Sequence, residues 1–159
     1  MWRVKKARRV NETCSYVSTQ PTPIFKKCSF CSSTWATRDE FLSDPLLEMI
    51  GYQVNFKHLE LGAFLFNHNQ CCTTLAIEAG KFKDLYDGPI YSERFTGTHE
   101  CPQYCVDKCK LNPCPAKCEC AYVREIIQII KNWTKLKHWI VVMFTIMAII
   151  LDRGNLSIR

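Results

Sequence analysis

Apolar residues recur with a helical period over residues 121–139, where Val123, Ile126, Ile127, Ile130, Trp133 and Leu136 fall three or four apart. That spacing lines one face of an α-helix. Glu125 near its start and Lys131, Lys135 and Lys137 near its end suit the helix dipole. Upstream the period shortens. Leu59, Leu61 and the run Ala63-Phe-Leu-Phe66 predict a buried strand, and Thr73-Thr-Leu-Ala-Ile77 predicts a second one. The turn-rich Asn67-His-Asn-Gln-Cys-Cys72 between them makes the pair a hairpin. Phe82, Leu85 and Tyr86 are candidate core residues of the stretch that follows.

Local capping signals add short helices before the hairpin. Thr37-Arg-Asp-Glu40 has the form of a capping box and opens a helix through Phe41 and Leu42. Asp44-Pro45 reads as the start of another helical turn over residues 46–50, stopped by Gly51. The fold class predicted is α+β: a small antiparallel sheet with short helices, a Cys-rich loop and one long C-terminal helix. Residues 1–27 read as a basic flexible arm, 28–120 as a Cys-rich metal-binding body, 121–151 as the long helix, and 152–159 as a tail.

The apolar run Trp139 to Leu151 carries no charge over 13 residues. As a helix it covers about 20 Å, short of the ~30 Å hydrocarbon core. Extended to residues 136–151 with flanking Lys135, Lys137 and His138 reaching the interface, it becomes a candidate single-pass membrane anchor. The alternative is a helix covered by the protein or by a protein partner. If it inserts, the basic N-terminal flank predicts that the body stays on the cytoplasmic face.

Charge sharpens this division. The 159 residues hold 21 Lys+Arg and 15 Asp+Glu, a formal charge of +6. Residues 1–27 carry seven basic residues and one acid, whereas residues 28–123 carry 8 basic and 12 acidic residues. The basic character is an arm on an acidic body. An acidic body repels phosphates, which argues against the body as a nucleic-acid reader. The arm fits an anionic membrane surface at least as well as nucleic acid.

The 11 cysteines supply the candidate chemistry. The charged N-terminus is not followed by an apolar stretch of secretory length, so the expectation is a reducing, cytoplasmic setting in which clustered thiols read as metal ligands. The first group is Cys28-Ser-Phe-Cys31 with His68-Asn-Gln-Cys71-Cys72, separated by 36 residues. A Cys-x-x-Cys turn directs two sulfurs to one ion. His68 with Cys71 or Cys72 completes a tetrahedral set of N and S donors for zinc. The second group is Cys101, Cys105, Cys109, Cys114, Cys118 and Cys120, interleaved with Pro102, Pro113 and Pro115. It suits a zinc site of four cysteines, then a 4Fe–4S cluster, then disulfides or redox thiols. The absence of the ferredoxin spacing ranks the iron–sulfur cluster below zinc. Cys14 stands apart in the arm.

Two segments, Gly51-Tyr-Gln-Val-Asn-Phe with Gly62-Ala-Phe-Leu-Phe-Asn-His68, and Cys114-Pro-Ala-Lys-Cys-Glu-Cys-Ala-Tyr-Val-Arg124, resemble cysteine-rich bacterial proteins over residues 26–133. That group has no established activity, so the resemblance implies a bacterial cytosolic setting and no catalytic residue.

The functions compete on the same residues. Cys71 or Cys72 beside His68 supplies the residue types for Cys–His catalysis, but sequence adjacency alone does not create the pairing. No Gly-rich phosphate loop, His-Glu-x-x-His or Gly-x-Ser-x-Gly occurs. The leading expectation is a metal-binding module with a structural, sensory or interaction role rather than an enzyme. The alternatives are an iron–sulfur or thiol redox protein and an exported disulfide-stapled protein, for which Asn11, Asn132 and Asn155 would be glycosylation sequons.

Overall fold

The computed structural model describes residues 24–136. Two antiparallel sheets carry the fold. The first pairs β1 (Lys26–Lys27) with β2 (Thr34–Trp35), in register Lys26 with Trp35 and Lys27 with Thr34. The second has the order β3 (Leu47–Gln53), β4 (Ala63–His68) and β5 (Thr73–Glu78). Helix α1 (Arg38–Ser43) joins the two sheets, and α2 (Ala121–Lys131) packs into the shared core. The α+β class and the predicted β4–β5 hairpin are both observed.

The period of two along β4 decides which side chains share a face. Phe64, Phe66 and His68 alternate inward and are each 1% exposed or less. Leu75 and Ile77 of β5 and Leu47 and Tyr52 of β3 join them. The ring of Phe41 meets that of Phe66 edge-on at 5.0 Å. From α2 come Val123, Ile126, Ile127 and Ile130, all buried. Each such side chain contributes about 1.5–3 kcal/mol through removal from water.

Thr37 caps α1 as the capping-box pattern predicts, its hydroxyl accepting the Glu40 amide at 3.1 Å. Glu40 reaches back to the amide of Ala36, one residue short of the cap. The second expected helical turn is a correction: residues 47–53 form strand β3. Asp44 explains it. Its carboxylate accepts the Leu46 amide and the Trp35 indole N–H, closing an Asx-type turn that releases the chain as a strand to pair with β4. Residues 59–61, expected as strand, form a 3-10 turn before β4.

The long C-terminal helix is also corrected. The helix ends at Lys131: the Asn132 amide still bonds to the Gln128 carbonyl, but the Trp133 amide closes a tighter turn on the Ile130 carbonyl at 3.2 Å. The chain then anchors on the end of α1. The Trp133 indole donates to Ser43 Oγ at 3.2 Å, the Leu136 amide to the Ser43 carbonyl, and Lys135 Nζ to the Asp44 carbonyl. Tertiary hydrogen bonds therefore outcompete continuation of the helical ladder. Among the described residues no helix is long and apolar enough to cross a membrane. The apolar run Trp139 to Leu151, the arm with Cys14, and the tail lie outside the described residues.

Candidate metal centre

Two hairpin turns build the first cluster. After β1 the chain makes the Cys28-Ser-Phe-Cys31 turn and returns as β2, with the Cys28 amide bonded to the Ser33 carbonyl at 2.8 Å and the Ser32 amide to the Cys28 carbonyl at 3.1 Å. Ser32 closes this turn in the left-handed region, at φ 65°. The second turn joins β4 to β5. There the Cys71 amide bonds to the His68 carbonyl, and the Asn69 amide to the Leu46 carbonyl, holding the loop on β3. His68 sits on the core face because it lies two residues beyond Phe66 on β4. Trp35 stands edge-on against its ring at 5.2 Å.

The donor atoms of Cys28, Cys31, His68 and Cys71 all lie within 4.8 Å of one another. Cys28 Sγ is 3.7 Å from Cys71 Sγ. His68 Nδ1 is 3.5 Å from Cys31 Sγ and 3.2 Å from Cys71 Sγ. A tetrahedral zinc ion with ordinary bond lengths has S···S edges of about 3.8 Å and S···N edges of about 3.6 Å. The cluster has that size. The sequence leaves Cys71 and Cys72 as alternatives for the fourth ligand, and the turn chooses Cys71. Cys72 takes a left-handed backbone, φ 55°, and is exposed.

The thiols are electrostatically unequal. Hydrogen bonds from the Ser33 hydroxyl and amide hold Cys31 down to about 6, against the pull of partial burial. Cys71 moves the other way: its hydrogen bond with Thr73 favours the thiolate, but burial and the neighbouring Cys31 and Cys28 sulfurs outweigh it and raise its pKa. One thiolate is thus already favoured before an ion arrives. Ser33 and Trp35 support the cluster without belonging to any ligand pattern in the sequence. Their signal was weak, since each is only a small polar or aromatic residue shortly after a Cys-x-x-Cys.

The second group is only partly gathered. Cys105, Cys118 and Cys120 are buried together, with Cys120 Sγ 3.3 Å from Cys105 Sγ and 3.4 Å from Cys118 Sγ. Cys101 is buried nearby and Cys114 half-buried. Cys109 is exposed, its amide bonded to the Asp107 carboxylate, and is not part of this group. All ten cysteines among the described residues are free thiols. These sulfur separations are non-bonded, well beyond the ~2.05 Å of a disulfide. His58 and His99 stand outside both clusters among polar neighbours, His99 beside Glu100.

No protein-family model matches the chain, and no curated protein and no solved structure matches it either. The cysteine-rich chain holds four side chains close enough to bind a metal ion: Cys28, Cys31, His68 and Cys71.

Proposed function

We propose that this protein is a zinc-binding module in which Cys28, Cys31, His68 and Cys71 hold one ion that ties the β1–β2 turn to the tip of the β4–β5 hairpin. The observation that carries this reading is the mutual approach of four donor atoms, drawn from two turns far apart in sequence, to within 4.8 Å. Three sulfurs and one imidazole nitrogen in a set of that size suit a single tetrahedral Zn²⁺. An iron–sulfur cluster spreads its cysteine ligands over several irons and favours a set without a buried imidazole.

The ion's role is structural. Its free energy of binding is folding free energy for the two turns, because neither turn holds the ligands together in an unfolded chain. A catalytic Cys–His reading uses the same Cys71–His68 contact. However, His68 is 1% exposed and its Nδ1 faces two sulfurs, an environment that suits a ligand better than a base that must meet substrate. A reducing cytoplasm keeps such thiolates available for metal.

The test is zinc content of protein purified under reducing conditions, together with the absorption spectrum after cobalt exchange. Cys28→Ser and His68→Ala are each expected to remove the cobalt band of a three-sulfur, one-nitrogen site. Full retention of metal and spectrum in both variants would overturn the proposal.

A further inference from the structure

Outside the first cluster, the densest unexplained chemistry lies at the N-terminus of α2. Cys105, Cys118 and Cys120 are 4%, 0% and 2% exposed, and pack with Phe56, Leu59 and Phe95 into a small core of their own. Cys120 sits at the N-cap position of the 11-residue α2 without making a side-chain cap. The amide of Phe95 points at Cys118 Sγ at 3.3 Å.

A second observation is independent of the sulfurs. Arg124, one turn into α2, is fully buried; its guanidinium donates to main-chain carbonyls of the Cys-rich loop, those of Asn112, Lys110 and Tyr104, and lies over the Tyr104 ring at 5.9 Å. Among the described residues no carboxylate forms an ion pair with it. A buried cation of this kind needs a compensating negative charge close by. Several thiolates around one divalent ion carry a net negative charge, which matches the need of Arg124.

The loop is also anchored at both ends. The Lys108 carbonyl bonds to the Tyr52 amide on β3 at 2.8 Å, against the Cα of Gly51. Arg94 clips Glu119 to the Phe56 carbonyl, and the Glu119 amide bonds to the Glu93 carbonyl at 2.7 Å. Both flanks of the cysteine loop are fixed where the Cys120 sulfur meets those of Cys105 and Cys118.

From this we infer that the protein has a second, all-thiolate zinc site at the N-terminus of α2, with Cys105, Cys118 and Cys120 as ligands and the fourth from Cys101 or Cys114. It is separate from the first site in ligands and in elements, and either can fail without the other.

Zinc analysis and cobalt exchange on the full chain test it. The expected result is about two zinc ions per chain, with a cobalt spectrum that resolves into four-sulfur and three-sulfur components. The paired substitution Cys118→Ser/Cys120→Ser is expected to lower the content to about one ion and to remove only the four-sulfur component. Cys28→Ser removes only the other, so failure of the first-site reading is seen separately. Cobalt titration of the unaltered chain covers the case in which the paired variant does not fold. Saturation there without a four-sulfur band would overturn the inference. So would labile sulfide with a broad visible band, or a mass two daltons lower per pair of cysteines in freshly isolated protein.

Discussion

The two cysteine clusters are assembled by different means, although both draw on thiols that stand out in the sequence. In the first, regular β-hairpin geometry does the assembling: the Cys28-Ser-Phe-Cys31 turn and the β4–β5 turn each deliver two donors, and the register of β4 turns His68 inward. In the second, no regular element spans residues 101–120, and the loop is held by a buried guanidinium, by β3 at Gly51 and by Arg94. Density of cysteines is a poor guide to proximity. Four donors spread over residues 28–71 form the tighter set, while Cys109, in the middle of the dense run, is exposed. Backbone register fixes side-chain direction at every second residue, but an irregular loop does so only where a tertiary contact pins it.

The contrast can be broken most forcefully at His68. His68→Ala removes a ligand supplied by strand register, and its expected cost in metal affinity at the first site exceeds about 100-fold, the upper end for losing a mere supporting group. Competition with a chromophoric chelator measures this, and an affinity within tenfold of the original would mean that the hairpins do not build the site. Arg124→Met comes next, at about 3 kcal/mol in denaturant unfolding, because each buried carbonyl left unpaired costs ~1–3 kcal/mol. Its first-site cobalt spectrum should be unchanged. A loss there would show that the two regions are not separately held.

Gly51→Ala probes the seam between the sheet and the loop. A methyl group there meets the Lys108 carbonyl at 2.9 Å, and backbone cannot yield as a side-chain tip can. The expected loss is about 1–3 kcal/mol, with faster hydrogen exchange at the Tyr52 amide as the local signature. Normal protection at that amide would argue that the loop does not rest on β3. The smallest expected effect is Thr37→Ala, about 1 kcal/mol from loss of the α1 cap. Because α1 supplies no ligand, the loss should be equal with and without chelator, and a chelator-dependent difference would tie α1 to metal binding.

Much of the fold could be read from local pattern. Alternation marked β4 and β5, the capping box marked α1, and apolar spacing marked α2, because each signal is carried by residues adjacent in chain and in space. Other elements escaped: β1 at Lys26–Lys27, read as part of the arm, the 3-10 turn at Leu59–Leu61, strand β3 and the end of α2. Residues 47–53 carry a plausible helix start in Asp44-Pro45, but Asp44 uses its carboxylate on Leu46 and Trp35 instead. The apolar period of α2 continues past Lys131, but Ser43 and Asp44 capture Trp133, Lys135 and Leu136. For α2 the partners lie about 90 residues away, beyond any local window; for residues 47–53 the turn partners are near, and it is the pairing with β4 that a local window does not contain.

The site divides in the same way. The residue types and the Cys-x-x-Cys spacing determined by themselves that Cys28 and Cys31 face one direction and that a histidine stands beside a cysteine pair at a hairpin tip. Only the tertiary structure decided that the two halves meet, that Cys71 and not Cys72 turns inward, and that Arg124 lies buried with its guanidinium on the carbonyls of the Cys-rich loop. Spacing fixes geometry across a few bonds of a stiff turn. Across 36 residues it is the packing of two hairpins on one core that sets the distance.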